Sequence, residues 1–311
     1  MKKIFIDANI YLNFFDSNKP ELKKLLGSLL QIKDSLFIGS QIVNEVNRNK
    51  LDVAQRSLRN HFNNLSNIIK IKKQGINLPE HLEMESTTLK KWNSESNEIY
   101  EKDKKISKEL EDIIHKTLQE IMCSSDKVSQ TFRLLFEGAL EASEHEIQAG
   151  RYRREVGNPP GKPNDPLGDQ VSWEQFKNCS SDSENIWIIT KDKDYYTAFK
   201  NERYLNPFLY DELVKANTNS APPSIFCFES LAEGLKHFKK NSLEKIDKLP
   251  TEEELKIITE EELSDSAAQT EAPNLFSIVQ EGKLVSMYLP SGFRSPGHYL
   301  QYLRAFDSEE L

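Results

Sequence analysis

The sequence predicts an α/β fold with a central parallel sheet, a long all-helical insertion and a small C-terminal extension. Short apolar runs recur at 3–7, 36–39, 185–190 and 224–228, and segments with helical periodicity lie between them. Between the early and the late runs, residues 52–150 show helical spacing of apolar side chains and almost no glycine. With 311 residues, the chain is long enough for one enlarged α/β domain or for two smaller domains.

The first strand and the segment after it form the start of a βαβ unit. Residues 3–7 read Lys-Ile-Phe-Ile-Asp, which predicts a buried strand that ends in a carboxylate. The amphipathic segment Glu21–Ile32 predicts a helix before the second strand at 36–39. Ser40 is a suitable N-cap for the next helix, and Glu45 then lies within that helix.

The stretch from 52 to 150 is interpreted as a helical insertion that packs as a hairpin or a lid. We expect Asn77-Leu78-Pro79 to break the helical run, because proline cannot continue a helix. The apolar spacing of three and four residues is seen in Leu110, Ile113, Ile114, Leu118 and Ile121.

The segments after the insertion predict the second half of the sheet. Residues 151–168 are rich in proline and glycine and basic at their start, which predicts an irregular loop that could contact a ligand. A helix is predicted at Asp169–Asn178, and the β-branched residues of 185–190 predict a buried parallel strand. A last strand at 224–228 and a helix at 229–238 complete the layer.

The chain is predicted to have three parts. These are a main domain at 1–240 that includes the insertion at about 52–150, an acidic linker at 241–272, and a small C-terminal module or tail at 273–311. Residues 244–265 carry nine acids against three lysines, so most of the net charge of −8 is local. The global charge therefore says little about binding partners.

The composition excludes several classes of protein. Apolar residues make up 37% and charged residues 29% of the chain, which is typical of a globular protein and not of a collagen-like or disordered one. No apolar run approaches the roughly 20 residues of a spanning helix. The N-terminus lacks the long uncharged segment of a secretory signal. We therefore expect a cytoplasmic protein without a membrane segment.

Cysteine and histidine do not form a recognisable metal or disulfide motif. The three cysteines are odd in number and far apart, and the six histidines form no HxxxH or mixed Cys/His cluster. Any metal would therefore have to be held by carboxylates, which favours a hard ion.

Four carboxylates stand out: Asp7 after the first strand, Glu45 on the second helix, Asp169 at the start of a late helix, and Asp192 after a late strand. The carboxyl ends of parallel strands form the ligand crevice of an open α/β sheet, so Asp7 and Asp192 should lie near one another if their strands are adjacent. Carboxylates that share a cleft repel one another unless a cation neutralises them. The pattern therefore predicts a Mg²⁺ or Mn²⁺ site.

These residues resemble the PIN-domain nucleases in their order and local context. The segments that carry the resemblance are Phe5-Ile6-Asp7-Ala8-Asn9, Glu45, Gly168–Trp173 and Ile189–Tyr195. The resemblance covers about 1–50 and 165–238, and it is closest to PIN-like proteins with a long helical insertion. It implies a Rossmann-like, three-layer fold and an acidic pocket that uses Mg²⁺ or Mn²⁺ to cleave RNA, or sometimes structured DNA.

The resemblance also implies roles for individual residues. Asp7, Glu45, Asp169 and Asp192 match the metal-binding, catalytic acids, Asp194 is an accessory acid, and Asn9 and Thr190 match polar positions that line the pocket. In such a site, one metal ion or a pair about 4 Å apart activates a water for attack on a phosphodiester. Candidate contacts to substrate phosphates are Arg151, Arg153, Arg154 and Lys162. The implied partners are an RNA or DNA substrate and either a regulatory protein or a second copy of the chain, in toxin-like growth control or antiviral defence.

Plainer interpretations of the same residues stay open. Asp7, Asp192 and Asp194 could be turn residues, Glu45 a solvated helical residue and Asp169 an N-cap, while the arginines could form a solvated helix end. A phosphatase of the haloacid-dehalogenase type also begins with a strand-end Asp, but it needs a second Asp where this chain has Asn9. A PIN-fold RNA-binding protein or scaffold without catalysis is the other alternative.

Overall fold

The computed structural model describes residues 2–16, 18–69, 86–161, 167–200, 202–242, 246–271, 275–280 and 283–288. The strands are β1 Lys2–Ile6, β2 Leu36–Phe37, β3 Asn185–Ile189, β4 Tyr196–Phe199, β5 Glu202–Leu205, β6 Ser224–Phe228, β7 Leu275–Gln280 and β8 Lys283–Tyr288. The helices are α1 Ala8–Leu12, α2 Leu26–Gln31, α3 Ser40–Ile69, α4 Ser86–Met122, α5 Lys127–Leu135, α6 Glu144–Glu155, α7 Gly168–Cys179, α8 Pro207–Ala216, α9 Leu231–Asn241 and α10 Glu252–Glu271.

A four-stranded parallel sheet in the order β2-β1-β3-β6 lies at the centre of the fold. Strand β1 pairs with β3 so that Phe5 lies opposite Ile188 and Ile4 opposite Trp187. Side chains alternate between the two faces of a strand, so Phe5 and Trp187 lie on opposite faces of the sheet. Phe5 contacts Phe176 of α7, whereas Trp187 contacts Phe238 of α9. Helices α7 and α9 therefore cover the two faces, and the predicted α/β fold with a central parallel sheet is confirmed.

The register of the sheet places the ends of β1 and β3 side by side. The paired residues Ile6 and Ile189 are the last of their strands, and the backbone N–H of Asp7 donates to the Ile189 carbonyl oxygen at 3.0 Å. Asp7 and Thr190, the residues that follow these strands, both emerge at the carboxyl edge of the sheet. This edge is where an open parallel sheet gathers its functional residues.

The insertion differs in detail from the expectation. Helix α3 runs without a boundary at residue 52, because its apolar spacing continues from the domain into the insertion, and it packs against the long helix α4. The predicted break at Asn77-Leu78-Pro79 lies outside the described residues. Among the described helices, none is both long and apolar enough to cross a membrane.

Two structured segments were missed. After β3 the chain forms the antiparallel hairpin of β4 and β5, then helix α8 with Asn206 as its N-cap. Within the stretch that we interpret as an acidic linker, residues 252–262 form the first part of α10 and bury Leu255 and Ile258. The spacing of these two apolar residues by three positions, rather than the dense charge around them, decides the local structure.

The chain divides into two compact units, 1–262 and 263–311. In the second unit, the described strands β7 and β8 form an antiparallel hairpin with Leu275 opposite Tyr288. The predicted boundaries of the main domain, the linker and the C-terminal module stay predictions.

Candidate metal centre

Asp7 lies at the carboxyl edge of the central sheet and is almost fully buried. Its Oδ2 accepts hydrogen bonds from the Thr190 hydroxyl at 2.6 Å and from the Asn9 side-chain amide at 2.7 Å. Asn9 lies in the first turn of α1, and Thr190 directly follows β3. Both polar residues that the sequence places beside the pocket therefore contact the first acid.

The loop after β3 holds Asp192 in a defined position. The Asp192 backbone N–H donates to the Thr190 hydroxyl oxygen at 3.0 Å, so one hydroxyl joins Asp7 to the Asp192 backbone. The Asp194 backbone N–H in turn donates to Oδ1 of Asp192 at 3.0 Å. This local side-chain-to-backbone bond forms an Asx turn, which fixes the direction of the Asp192 carboxylate.

Glu45 and Asp169 reach the same region from helices α3 and α7. The two helices are close here: a Cβ placed on Gly168 would lie 3.9 Å from Oε2 of Glu45. Asp169 is the second residue of α7 and lies in its first turn, where the helix dipole favours a negative charge. Glu45 thus lies next to the first turn of α7, the turn that carries Asp169.

The acids influence one another electrostatically. The pKa of Asp7 is raised from 3.8 to about 6, chiefly by burial, with further contributions from the charges of Glu45 and Asp192, while the Thr190 hydrogen bond opposes the rise. Burial and the charge of Asp169 raise the pKa of Glu45. Carboxylates that raise the pKa of one another repel when both are ionised, and a bound cation would reduce this repulsion.

Tyr195 lies beneath this group of acids, and sequence reasoning did not assign it to the site. Its ring is buried against Phe5 and Trp173, with ring centroids 5.6 and 6.0 Å away. Burial raises the pKa of Tyr195, and the charges of Asp169, Asp7, Asp192 and Glu45 raise it further. Among the described residues, its hydroxyl has no hydrogen-bond partner. The signal in the sequence was only an aromatic residue three positions after Asp192.

The donor chemistry of this group fits a hard divalent ion, although the acids are not drawn together into a cage. Across the described parts of the chain, no group of three or more His, Cys, Asp or Glu side chains is already arranged to hold a metal. The available atoms are carboxylate oxygens and the Asn9 Oδ1, which is buried and has no hydrogen-bond partner among the described residues. Oxygen donors of this kind suit Mg²⁺ or Mn²⁺, and Asp7, Glu45, Asp169 and Asp192 would have to converge on the ion.

Glu229, another acid at the same edge, is not available for a metal. Glu229 follows β6 and accepts hydrogen bonds from Lys193, Tyr196 and Arg203, the last at 3.0 Å. Burial opposes ionisation of this carboxyl, but the three donors outweigh it and lower its pKa to about 2. Glu229 therefore ties the β4–β5 hairpin to the central sheet.

The predicted phosphate contacts are separated by the structure. Arg153 is buried, and its guanidinium donates to Glu174 at 2.6 and 2.9 Å, to Glu212 at 2.6 and 2.8 Å, and to the Pro159 carbonyl oxygen. A guanidinium that two carboxylates occupy inside the protein is not available to substrate, so the prediction for Arg153 is corrected to a structural role.

The three other predicted phosphate contacts have different positions. Arg151 is exposed on α6, and Arg154 is partly exposed on the same helix. Lys162 lies outside the described residues. Arg151 and Arg154 therefore remain candidates, because their side chains reach solvent.

Comparison with known proteins gives one match. A family model described as a PIN-like domain matches residues 3–204. The match includes strands β2, β3 and β4, most of β1 and β5, the helical insertion and all four acids of the candidate centre. No curated protein and no solved structure matches the chain.

Proposed function

Because this chain belongs to the PIN-like domain family, whose members are generally nucleases, we propose that it is a metal-dependent endoribonuclease acting at the carboxyl edge of the sheet. The observation that carries the proposal is the placement of these acids: the Thr190 hydroxyl joins Asp7 to the Asp192 backbone at 2.6 and 3.0 Å, and Glu45 lies beside the start of α7, which carries Asp169. The charges of Glu45 and Asp192 both raise the pKa of Asp7. Carboxylates this close together repel one another, and a bound cation would remove that unfavourable free energy. The arrangement therefore supports a metal-binding role.

Each acid has a part in the proposed chemistry. A bound Mg²⁺ or Mn²⁺ would supply Lewis-acid chemistry, lowering the pKa of a water and stabilising charge on the scissile phosphate. Asp7, fixed by Thr190 and Asn9, and Asp192, fixed by its Asx turn, would hold the ion from the sheet side. Glu45 and Asp169 would close the site from α3 and α7, and Asp194 is an accessory acid beside them.

The substrate would be oriented by groups outside the acidic pocket. The exposed Arg151 and the partly exposed Arg154 lie on α6, which packs against α7, the helix that carries Asp169. Guanidinium groups in this position could bind the phosphates that flank the cleaved bond. Lys162 belongs to the same proposal on sequence grounds. RNA is the proposed substrate, and the cleavage assay described below also includes DNA.

The direct test is a cleavage assay on a panel of labelled RNA and DNA strands, with Mg²⁺, with Mn²⁺ and with a chelator. Cleavage of RNA only in the presence of metal is expected for the wild type. Asp7→Asn and Asp169→Asn are expected to reduce cleavage to the level seen with chelator, because each removes a charged oxygen donor. Asp34→Asn, which changes an exposed carboxylate outside the candidate centre, is the matched control and should cleave as the wild type does.

Metal binding can be measured without activity. Mn²⁺ should raise the melting temperature of the wild type with the logarithm of its concentration, because a ligand that binds only the folded state stabilises it. Asp7→Asn should lose most of this rise, and Asp34→Asn should keep it. A wild type that cleaves nothing and gains no thermal stability from Mn²⁺ or Mg²⁺ would favour the non-catalytic RNA-binding or scaffold alternative.

The biological setting is also part of the proposal. A nuclease of this kind would act in the cytoplasm as a toxin-like regulator of growth or as an effector of antiviral defence, restrained by a partner protein or by self-association. The phosphatase alternative is not favoured, because Asn9 supplies an amide to Asp7 where that chemistry needs a second carboxylate.

A further inference from the structure

A cavity lies between helices α3 and α5, apart from the candidate metal centre. Its volume is about 530 Å³, within the range of small-molecule sites. None of Asp7, Glu45, Asp169 and Asp192 lines it. The residues that define its character are Phe15, Lys50, Ser129, Phe132, Arg133 and Phe136.

Helix α3 serves both sites with different faces. Val43, Val46, Asn47 and Lys50 line the cavity, and their spacing of three and four residues places them on one face of the helix. Glu45 lies on another face, which approaches α7 at Gly168. The cavity is therefore a separate site and not an extension of the acidic edge.

Lys50 is the most informative residue of the cavity. Its side chain is only 7% exposed, and its Nζ donates to the hydroxyls of Ser124 at 2.6 Å and Ser129 at 3.2 Å. Within the described residues, no carboxylate lies within ion-pair distance of Nζ, although the charge of Asp126 acts on it from farther away. Burial lowers the pKa of Lys50, which is the effect expected of a buried ammonium with only neutral partners. A buried charge is normally paired with an opposite charge, whereas the hydrogen bonds of Lys50 go to two neutral hydroxyls.

The walls around this ammonium are aromatic. Phe132 and Phe136 lie with their ring centroids 5.1 Å apart, and the Phe15 ring centroid is 5.9 Å from Lys50 Nζ. Rings of this kind provide flat apolar surfaces for a planar ligand. The backbone of Ser124 adopts a left-handed conformation, with φ of 55°, and its hydroxyl accepts the Lys50 hydrogen bond in that conformation.

We propose that the cavity between α3 and α5 binds a small organic anion, with its charged group on Lys50 and its planar apolar body against Phe15, Phe132 and Phe136. Arg133 at the rim adds a second cation, whereas Asp126 and Glu137 add negative charge nearby. This balance favours a ligand with one or two negative charges over a polyanion such as RNA. The proposal does not depend on nuclease activity.

The test measures binding to the full chain in buffer with chelator, where the metal-free acidic edge repels anions. Two charged aromatic probes are each compared with a neutral counterpart: adenosine 5′-monophosphate with adenosine, and indole-3-acetate with indole-3-acetamide. Inorganic phosphate serves as an anion that has no aromatic group. Calorimetry should show each charged aromatic probe binding about tenfold or more tightly than its neutral counterpart, since a hydrogen bond to a charged group is worth that much. Inorganic phosphate should bind more weakly than either. The pair with the larger ratio of charged to neutral affinity identifies a phosphate or a carboxylate as the preferred group.

Three variants locate the binding. Lys50→Met should bring the affinity for the charged probes down to that for the neutral ones, whereas Lys116→Met, an exposed lysine on α4, should change nothing. Asn47→Trp replaces an exposed residue at the cavity with a side chain large enough to block it, and it should abolish binding even if Lys50→Met does not fold. Equal affinities for charged and neutral probes, no binding of any probe at millimolar concentration, or unchanged binding by Asn47→Trp would each overturn the proposal.

Discussion

The Thr190 hydroxyl donates a 2.6 Å hydrogen bond to Oδ2 of Asp7, and it joins the ends of two adjacent parallel strands. The same hydroxyl oxygen accepts a hydrogen bond from the Asp192 backbone N–H at 3.0 Å. Thr190 is fully buried, so water cannot replace these bonds. One side chain therefore positions the first and the last acid of the candidate centre relative to one another.

Replacing Thr190 is expected to change the pH dependence of the proposed nuclease. The hydrogen bond from Thr190 lowers the pKa of Asp7, so Thr190→Val should raise that pKa above its present value of about 6. A protonated Asp7 cannot bind metal, and the acidic limb of kcat/KM should move to higher pH when Mn²⁺ is subsaturating. Thr190→Ser keeps a hydroxyl and should retain the wild-type profile. Identical acidic limbs for Thr190→Val and the wild type would show that this bond does not control Asp7.

Asp7 is also expected to reduce stability at neutral pH when no metal is present. Its pKa is about 6 in the folded protein, against the ordinary value of 3.8 that applies to an unfolded chain, so the folded state binds the proton more tightly. The stabilising effect of protonation is full below about pH 4 and is lost as the pH rises through 6. The difference corresponds to about 3 kcal/mol at pH 7.5.

Asp7→Asn should therefore be more stable than the wild type in chelator at pH 7.5, by up to about 3 kcal/mol, because the buried charge is removed. The advantage should shrink as the pH falls towards 4. Urea denaturation at several pH values measures both effects, and Asp34→Asn provides the comparison for an exposed acid. A variant that is less stable than the wild type at pH 7.5 would mean that the Asp7 carboxylate stabilises the fold even without metal.

The sequence was sufficient for the sheet and insufficient for the surroundings of the site. Buried parallel strands have a continuous apolar signature, so the strands that carry Asp7 and Thr190 could be predicted within one residue of their observed ends. The location of Arg153 could not be predicted, because its partners Glu174 and Glu212 lie 21 and 59 residues away in sequence. A local pattern of basic residues does not distinguish a phosphate contact from a buried ion pair. Burial of Tyr195 beneath the acids likewise depends on tertiary packing against Trp173.

The arginines of α6 are expected to separate into a structural and a substrate-binding class. Arg153→Met should lower the free energy of unfolding by about 3 kcal/mol or more, because it leaves the buried Glu174 without its main partner. Arg151→Ala and Arg154→Ala together should leave stability close to that of the wild type. The double variant should instead weaken RNA binding and flatten its dependence on salt, since fewer phosphates are neutralised.

Thermal unfolding and binding assays at several salt concentrations, performed on both variants, distinguish these outcomes. Binding can be measured in chelator so that cleavage does not interfere. An unchanged salt dependence in the Arg151→Ala, Arg154→Ala variant would place the phosphate contacts elsewhere. An Arg153→Met variant as stable as the wild type would mean that Lys177, which lies 2.5 Å from Glu174, is a sufficient partner by itself.

Glu262 gives the acidic segment a structural role that its composition conceals. Its carboxylate is fully buried and accepts hydrogen bonds from the Ser230 hydroxyl and from the backbone N–H groups of Leu231 and Ala232, at 2.6 to 3.1 Å. These amides lie at the start of helix α9 and have no partners within the helix, so a residue from α10 caps α9.

Glu262→Ala should therefore lower the free energy of unfolding by about 1–3 kcal/mol, because buried donors lose their acceptor. Glu260→Ala, which removes an exposed acid two positions earlier, should have little effect. Equal stabilities of these two variants in urea would contradict the capping role of Glu262. A loss of stability confined to Glu262→Ala would show that residues 252–262 stabilise the main unit.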